Sequence, residues 1–283
     1  MSAVRPYSSE GTLEEWRTLA DLPPLDAFTD GQVAYRPAFV DDLVGVQLDL
    51  VDAGGRNIVA NFVDAHTVHL TFSPEGLSSE SRYDATRVRE GIYLVDLLHD
   101  AWPMDGAVED RPRSVSWALD LNAGQMMIAV SGIVIADHDA HGALLRARTD
   151  HESWAFRGTD LRPHPRSAGM AGHRVYWLYS STDHYDHVYL NGSNFAWQCV
   201  SGVEKGLTEL DRTRAYEIAD GLFFFYWTEN VFVVETAMFV DLKAMRTYGR
   251  MFGLDRHDGS ILHHQFGAVG HLLNRTEYPT FPH

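Results

Sequence analysis

A glutamate set in the middle of an apolar strand is the residue of this chain best placed to do chemistry. Glu235 interrupts FVVETAMF and, on strand alternation, shares a face with Val233 and Ala237. A carboxylate there is costly unless it is paired or hydrogen-bonded, and burial raises its pKa towards the range of a working acid or base. Arg214, in TRAYEI, is the expected partner or a clamp for a substrate carboxylate. The alternative is a structural Glu–Arg pair or an exposed edge-strand face. Tyr189 and His264 complete the candidate proton-carrying set. His264 lies in ILHHQFGAV, where either it or His263 must face inward if the run is a strand. Glu229 falls at a strand end, where exposure is the expectation.

The second half also supplies an aromatic lining: Tyr189, Trp197, Tyr216, Phe223, Phe225, Trp227 and Phe232. Ordinary barrel core explains any one of them, but the cluster suits a planar ligand, since small-molecule pockets are mostly apolar with a few fixed polar groups. The chemistry expected is acid–base lyase work (decarboxylation, elimination or cyclisation) on a small, partly aromatic organic substrate. The rival is a non-catalytic carrier or sensor using the same cavity. A third reading is a scaffold whose fused halves serve as a unit for homodimerisation.

Other classes are disfavoured. Neither GxGxxG, GxxxxGK[ST] nor GxSxG occurs, so no nucleotide cofactor and no serine nucleophile elbow is expected. Fifteen His residues invite a metal reading, with Asp183-His184-Tyr185-Asp186-His187 densest and His263-His264 and His138-x-x-His141 adding to it. On a strand His184 and His187 point to opposite faces, and there is no HExxH and no cysteine pair, so no metal is expected. Cys199, the only cysteine, lies in the apolar run WQCV and reads as a buried thiol. The 23 basic and 39 acidic residues give a net charge of −16, which disfavours DNA, RNA and anionic membranes as partners. The N-terminus carries no apolar signal region and no run approaches membrane-spanning length, so a soluble, cytoplasmic protein is the expectation.

These residues sit in what reads as one β-rich unit used twice. Asp84, Thr86 and Arg87 recur as Asp211, Thr213 and Arg214, an offset of 127 residues (84 to 211), and the segment starting at Phe62 lies over that starting at Tyr189 at the same offset. Downstream, ALDL ending at Leu121 matches FVDL ending at Leu242. Two copies are too few for a solenoid and point to two fused domains. Short alternating runs separated by tight turns such as Asn122-Ala-Gly124 predict antiparallel barrels or sandwiches. Thr12-Leu-Glu-Glu15 has the form of a capping box and predicts a short helix through Trp16 to Ala20. The layout is a lead-in over 1–32, a first barrel over 33–140, a linker over 141–172 with one short helix near Ala143 to Arg148, and a second barrel over 173–283.

Two consecutive halves of this size resemble the molybdenum cofactor biosynthesis F (MoaF) family over about residues 33 to 275. The resemblance implies tandem calycin-like (lipocalin-like) domains and an association with molybdenum cofactor metabolism, and no particular reaction. The second half is also similar to bacterial phenolic acid decarboxylases, which are single barrels, through Tyr189, Asn191, Gly192, Trp227, Thr228 and Glu229. Asn230 stands where that family has a proline. The fold class expected is therefore all-β, two tandem calycin-like antiparallel barrels with a short N-terminal helix.

Overall fold

The computed structural model describes residues 22–74, 76–139 and 142–277. The helix expected over Trp16 to Ala20 lies outside the described residues, as does His141. Among the described residues helix is limited to a 3-10 turn at Leu25–Phe28 running into a single α turn, α1, at Thr29–Gln32.

The first eight strands are β1 Gln47–Asp52, β2 Asn57–Phe62, β3 Thr67–Ser73, β4 Leu77–Arg89, β5 Ile92–His99, β6 Arg113–Asp120, β7 Gln125–Asp139 and β8 Gly142–Phe156. Each pairs antiparallel with the next, and β8 returns to β1 with Leu50 opposite Phe156, so the sheet closes. The second eight are β9 His173–Leu178, β10 His184–Tyr189, β11 Asn194–Ser201, β12 Thr208–Ala219, β13 Leu222–Thr228, β14 Val233–Asp241, β15 Arg246–Leu254 and β16 Ile261–Arg275. They close in the same way, β16 pairing with β9 through Val269 and Leu178. Closure leaves neither sheet with an unpaired edge.

The expected linker needs correction. Residues 142–156 are not helix or connection but β8, paired along its length with β7 and closing the first barrel. Its exposed face carries the Arg and Asp residues that make the segment read as loop, while Ala147 and Thr149 on the alternate face are buried. The true connection between barrels runs from 157 to 172.

The internal repeat maps strand for strand. The matched segments fall on β2–β3 and β10–β11, on β4 and β12, and on the ends of β6 and β14. Asp120 and Asp241 do the same job in the two copies. The Asp120 carboxylate accepts the Asn122 and Ala123 amides, and Asp241 accepts those of Lys243 and Ala244. The left-handed position that ends each turn is filled by Gly124 at φ 64° in one copy and by Met245 at φ 51° in the other.

Each barrel has its own core. Phe62, Tyr83, Trp117 and Trp154 fill the first, and Trp177, Tyr189, Phe195, Phe225 and Phe266 the second. A third core lies between the barrels, where outward faces of β4–β8 meet those of β12–β16. Ile92, Leu94, Met127 and Ala129 pack there on Leu222, Phe224, Ala237 and Phe239. Fully burying one such Leu or Phe is worth about 1.5–3 kcal/mol, so the two barrels are held by the same force that fills them. Arg89 adds a bidentate contact across the junction, its Nε and Nη2 donating to Asp241 at 2.7 and 2.8 Å.

Candidate functional site

Strand parity in the second barrel decides which candidates meet. On β13 and β14 the inward residues are Phe223, Phe225, Trp227, Met238 and Val240. Glu235 therefore points outward, to the first barrel, with 0% exposure. Its partner is Arg250 of β15, whose Nη1 donates to Glu235 Oε2 at 2.7 Å, and not Arg214. Ser131 Oγ of β7 donates to the same carboxylate at 2.6 Å. Arg250 Nε reaches Ser116 Oγ at 2.8 Å, Ser116 donates to Asp96 at 2.7 Å, and His263 Nε2 stands 2.8 Å from Asp96. Burial opposes ionisation of Asp96, but His263, Arg250 and Ser116 outweigh it and hold its pKa below the usual range. Glu235 is thus part of a polar cluster joining the barrels.

The other expected catalytic residues are also scattered. Arg214 lies on the outer face of β12, its Nη1 3.4 Å from the Tyr226 hydroxyl. Tyr216 is on that outer face too, stacked on Tyr226 and hydrogen-bonded to His151, so it does not line the barrel interior. Tyr189 is inside, accepting from Trp177 Nε1 at 3.3 Å and packed among Phe195 and Phe225. His264 is half-buried, and desolvation with nearby Arg36 lowers its pKa to about 4. These four side chains do not converge on one point.

A different set does converge. The Leu25–Gln32 segment lies across one end of the second barrel, and the Leu25 amide is tied to Asp255 at 2.7 Å. Beneath it is a cavity of about 40 Å³ lined by Leu25, Gln32, Tyr179, Tyr185, His187, Trp197, Glu204, Trp227, Glu229, Phe232, Thr236 and others. It has room for two or three waters. Of the expected aromatic lining, Trp197, Trp227 and Phe232 face this space, while Tyr189, Phe223 and Phe225 form the packed floor of the barrel.

The polar groups around the cavity are acids and phenols. Tyr185 donates to Glu204 at 2.6 Å, Trp197 Nε1 to Asp211 at 2.8 Å, and the Asn230 and Val231 amides to Glu209, each at 2.8 Å. Glu229 is only 9% exposed, contrary to the sequence expectation, and lines the cavity beside Leu25 and Gln32 of the capping segment. Burial, then Glu204, Asp211 and Glu209, push its pKa well above the carboxylate range. Asp211 rises to about 7 through burial and the charge of Glu209, against hydrogen bonds from Trp197 and Asn230. His187, inside β10, falls to about 3 by burial, so it is a neutral imidazole near pH 7. Gln32 Oε1 and Thr236 Oγ1 are buried without a hydrogen-bond partner among the described residues.

Of these groups the sequence marked Asp211 only as a repeat position and His187 only as one of a surface cluster. Glu204, Tyr179 and Tyr185 carried no signal beyond a polar atom in an otherwise ordinary strand or turn. Cys199 is buried, and desolvation followed by Glu204 raises its thiol to about 12, so it is inert as a nucleophile. Among the described residues no three His, Cys, Asp or Glu are grouped to hold a metal ion. No helix among them is long and apolar enough to cross a membrane.

Two comparisons bear on this architecture. Residues 20–135 match the family model of the MoaF N-terminal domain and residues 164–276 that of the MoaF C-terminal domain. Protein MoaF of Klebsiella aerogenes is 35% identical over 129 residues, which is 44% of this chain and 49% of that relative. The match thus spans about half the length of the curated relative.

Proposed function

From the premise that this chain belongs to the MoaF family, we propose that its second barrel is a small-molecule pocket in which Glu229 acts as a buried proton donor. The observation that carries this reading is the convergence around one cavity of the buried Glu229 carboxyl, whose pKa burial and neighbouring acids raise, with two polar atoms that have no partner among the described residues, Gln32 Oε1 and Thr236 Oγ1. Buried polar atoms without partners each cost about 1–3 kcal/mol, and a bound molecule that meets them recovers that energy. Trp197, Trp227 and Phe232 supply flat apolar walls for a partly aromatic ligand. The finer reading is lyase-type chemistry without a nucleotide cofactor: Glu229 protonates the substrate, and Asp211, poised near pH 7, returns the proton to it.

A ligand larger than a few waters requires the Leu25–Gln32 segment to swing aside, breaking the Leu25 amide contact to Asp255. The test is native mass spectrometry of the freshly purified protein, followed by denaturing extraction and identification of any released molecule. The family makes small molecules of molybdenum cofactor metabolism the first candidates to offer it. One organic molecule per chain, absent from a Gln32→Leu/Thr236→Val variant, supports the pocket. Consumption of that molecule on incubation supports the lyase, and its unchanged retention supports a carrier. A protein that retains nothing and takes up none of the candidate small molecules counts against both.

A further inference from the structure

A cleft lined by arginine lies not in either barrel but at their junction. About 520 Å³ in volume, it is bounded by Arg212 and Arg214 on the outer face of β12, Arg148 and Thr149 on β8 of the first barrel, and Arg166 on the connection between barrels. Residues 212 and 214 are two apart on one strand face, so their Cα atoms stand about 7 Å apart and their side chains project together. Arg166 is fixed beside them by a backbone bridge to Tyr216 and by bonds to the Gly192 carbonyl at 3.1 Å and Ser193 Oγ at 2.9 Å.

The charge balance here is the reverse of the whole chain's. No Asp or Glu is among the residues lining the cleft, although the chain has 39 acidic residues against 23 basic. Arg148 is paired with Asp150 at 2.8 Å, but among the described residues Arg166, Arg212 and Arg214 have no carboxylate within ion-pair distance. Ser193, Asn194 and Thr228 add neutral polar groups around them. The local field is felt by His151 next door, whose pKa is lowered by burial and then by Arg214 and Arg166, against Asp150.

We propose that this junction cleft is a second ligand site, distinct from the barrel cavity, which binds a small polyanion through Arg166, Arg212 and Arg214. The forked guanidinium suits bidentate contact with phosphate or carboxylate oxygens, and three of them together select a molecule with at least two negative charges. The volume fits a compact metabolite carrying a phosphate, pyrophosphate or several carboxylates. A nucleic acid does not suit it, since the net charge of −16 repels an extended polyanion while a small one enters the local positive field.

The experiment is isothermal titration calorimetry of the full chain with inorganic pyrophosphate and, separately, with citrate, at constant ionic strength. One-to-one binding of either probe is expected, and which one binds tells a phosphate site from a carboxylate site. Affinity should fall at least about tenfold in Arg212→Ala/Arg214→Ala, the loss of charge-assisted hydrogen bonds worth about 1.4 kcal/mol or more. Arg166→Ala should weaken it too, and Arg162→Ala, an exposed arginine of the same connection outside the cleft, should not. Circular dichroism on each variant separates lost binding from lost fold. Failure of both probes to bind above a chloride control overturns the proposal, as does binding that survives the double substitution. Unchanged pyrophosphate or citrate binding in Thr236→Val keeps this site separate from the barrel cavity.

Discussion

Glu235 and Arg250 meet at 2.7 Å with neither side chain exposed, on the outer wall of the second barrel where it packs against the first. The pair is completed from the other domain, by Ser131 on Glu235 and by Ser116 and Asp96 on Arg250. Two barrels that each close on themselves have no shared strand, so this polar cluster and its apolar surround are what fix their mutual position. Buried ion pairs of this kind gain little over an apolar substitute but are very costly to break on one side only.

Arg250→Met should therefore leave Glu235 and Asp96 buried beside a neutral side chain and cost about 3–5 kcal/mol in urea unfolding. Adding Glu235→Met should recover much of that loss. A single variant that unfolds within about 1 kcal/mol of the parent would show that the cluster is not strongly coupled to folding.

Asp211 gives a pH dependence with a definite sign. Its pKa is about 7 in the folded protein against 3.8 for the free side chain, so between those values the folded state holds a proton that the unfolded state has lost. This contribution makes the protein more stable as pH falls from about 7 to about 4 and less stable as pH rises. His187 acts in the opposite sense, since its folded value of about 3 lies below the usual 6.5 and its contribution is lost as pH falls through that window. Comparing Asp211→Asn with the parent cancels the histidine. The Tm difference should move in favour of the variant as pH rises from 5 to 8, and a difference that does not change with pH would count against the raised Asp211.

Burial and the neighbouring acids favour the neutral form of Glu229, so Glu229→Gln, which keeps the shape of the carboxyl without its charge, should leave stability unchanged or raised. The infrared band of a protonated buried carboxyl should disappear from the spectrum. Turnover of the extracted molecule should drop by roughly 10²–10⁴-fold, the usual worth of a positioned general acid. An ionised Glu229 in the parent spectrum at pH 7 would remove the basis for the acid role.

Thr236→Val exchanges an unsatisfied hydroxyl for a methyl group of the same shape. In the ligand-free protein it should raise stability by about 1 kcal/mol, seen as a higher urea midpoint, because a desolvated polar atom is removed. With ligand bound the order should reverse. A variant destabilised in both states would mean that the hydroxyl has a partner within the protein.

Much of the architecture was legible in the sequence. The repeated Asp-x-Thr-Arg of β4 and β12, the matched ends of β6 and β14 and the alternation of the short runs were enough for two tandem antiparallel barrels or sandwiches, and the resemblance to the MoaF family narrowed these to barrels. They are local signals: a strand face and a tight turn are specified by residues near in sequence, and Asp120 and Asp241 cap equivalent turns with their own neighbours. The site was not legible in this way. Alternation correctly put Glu235 on one face with Val233 and Ala237, but all nine residues of β14 are buried, so the pattern cannot say which face is the barrel interior and which the other domain. Tyr216 was misassigned differently: it shares the outer face of β12 with the exposed Arg212 and Arg214, and is buried there by the core between the barrels. Glu229 is buried at a cavity it shares with Leu25 and Gln32, some two hundred residues earlier, which no local pattern could have brought to it. Local chemistry in the sequence determined the strands and their duplication, and long-range packing of closed barrels decided which polar groups meet, because burial on both faces erases the periodicity that would have marked them.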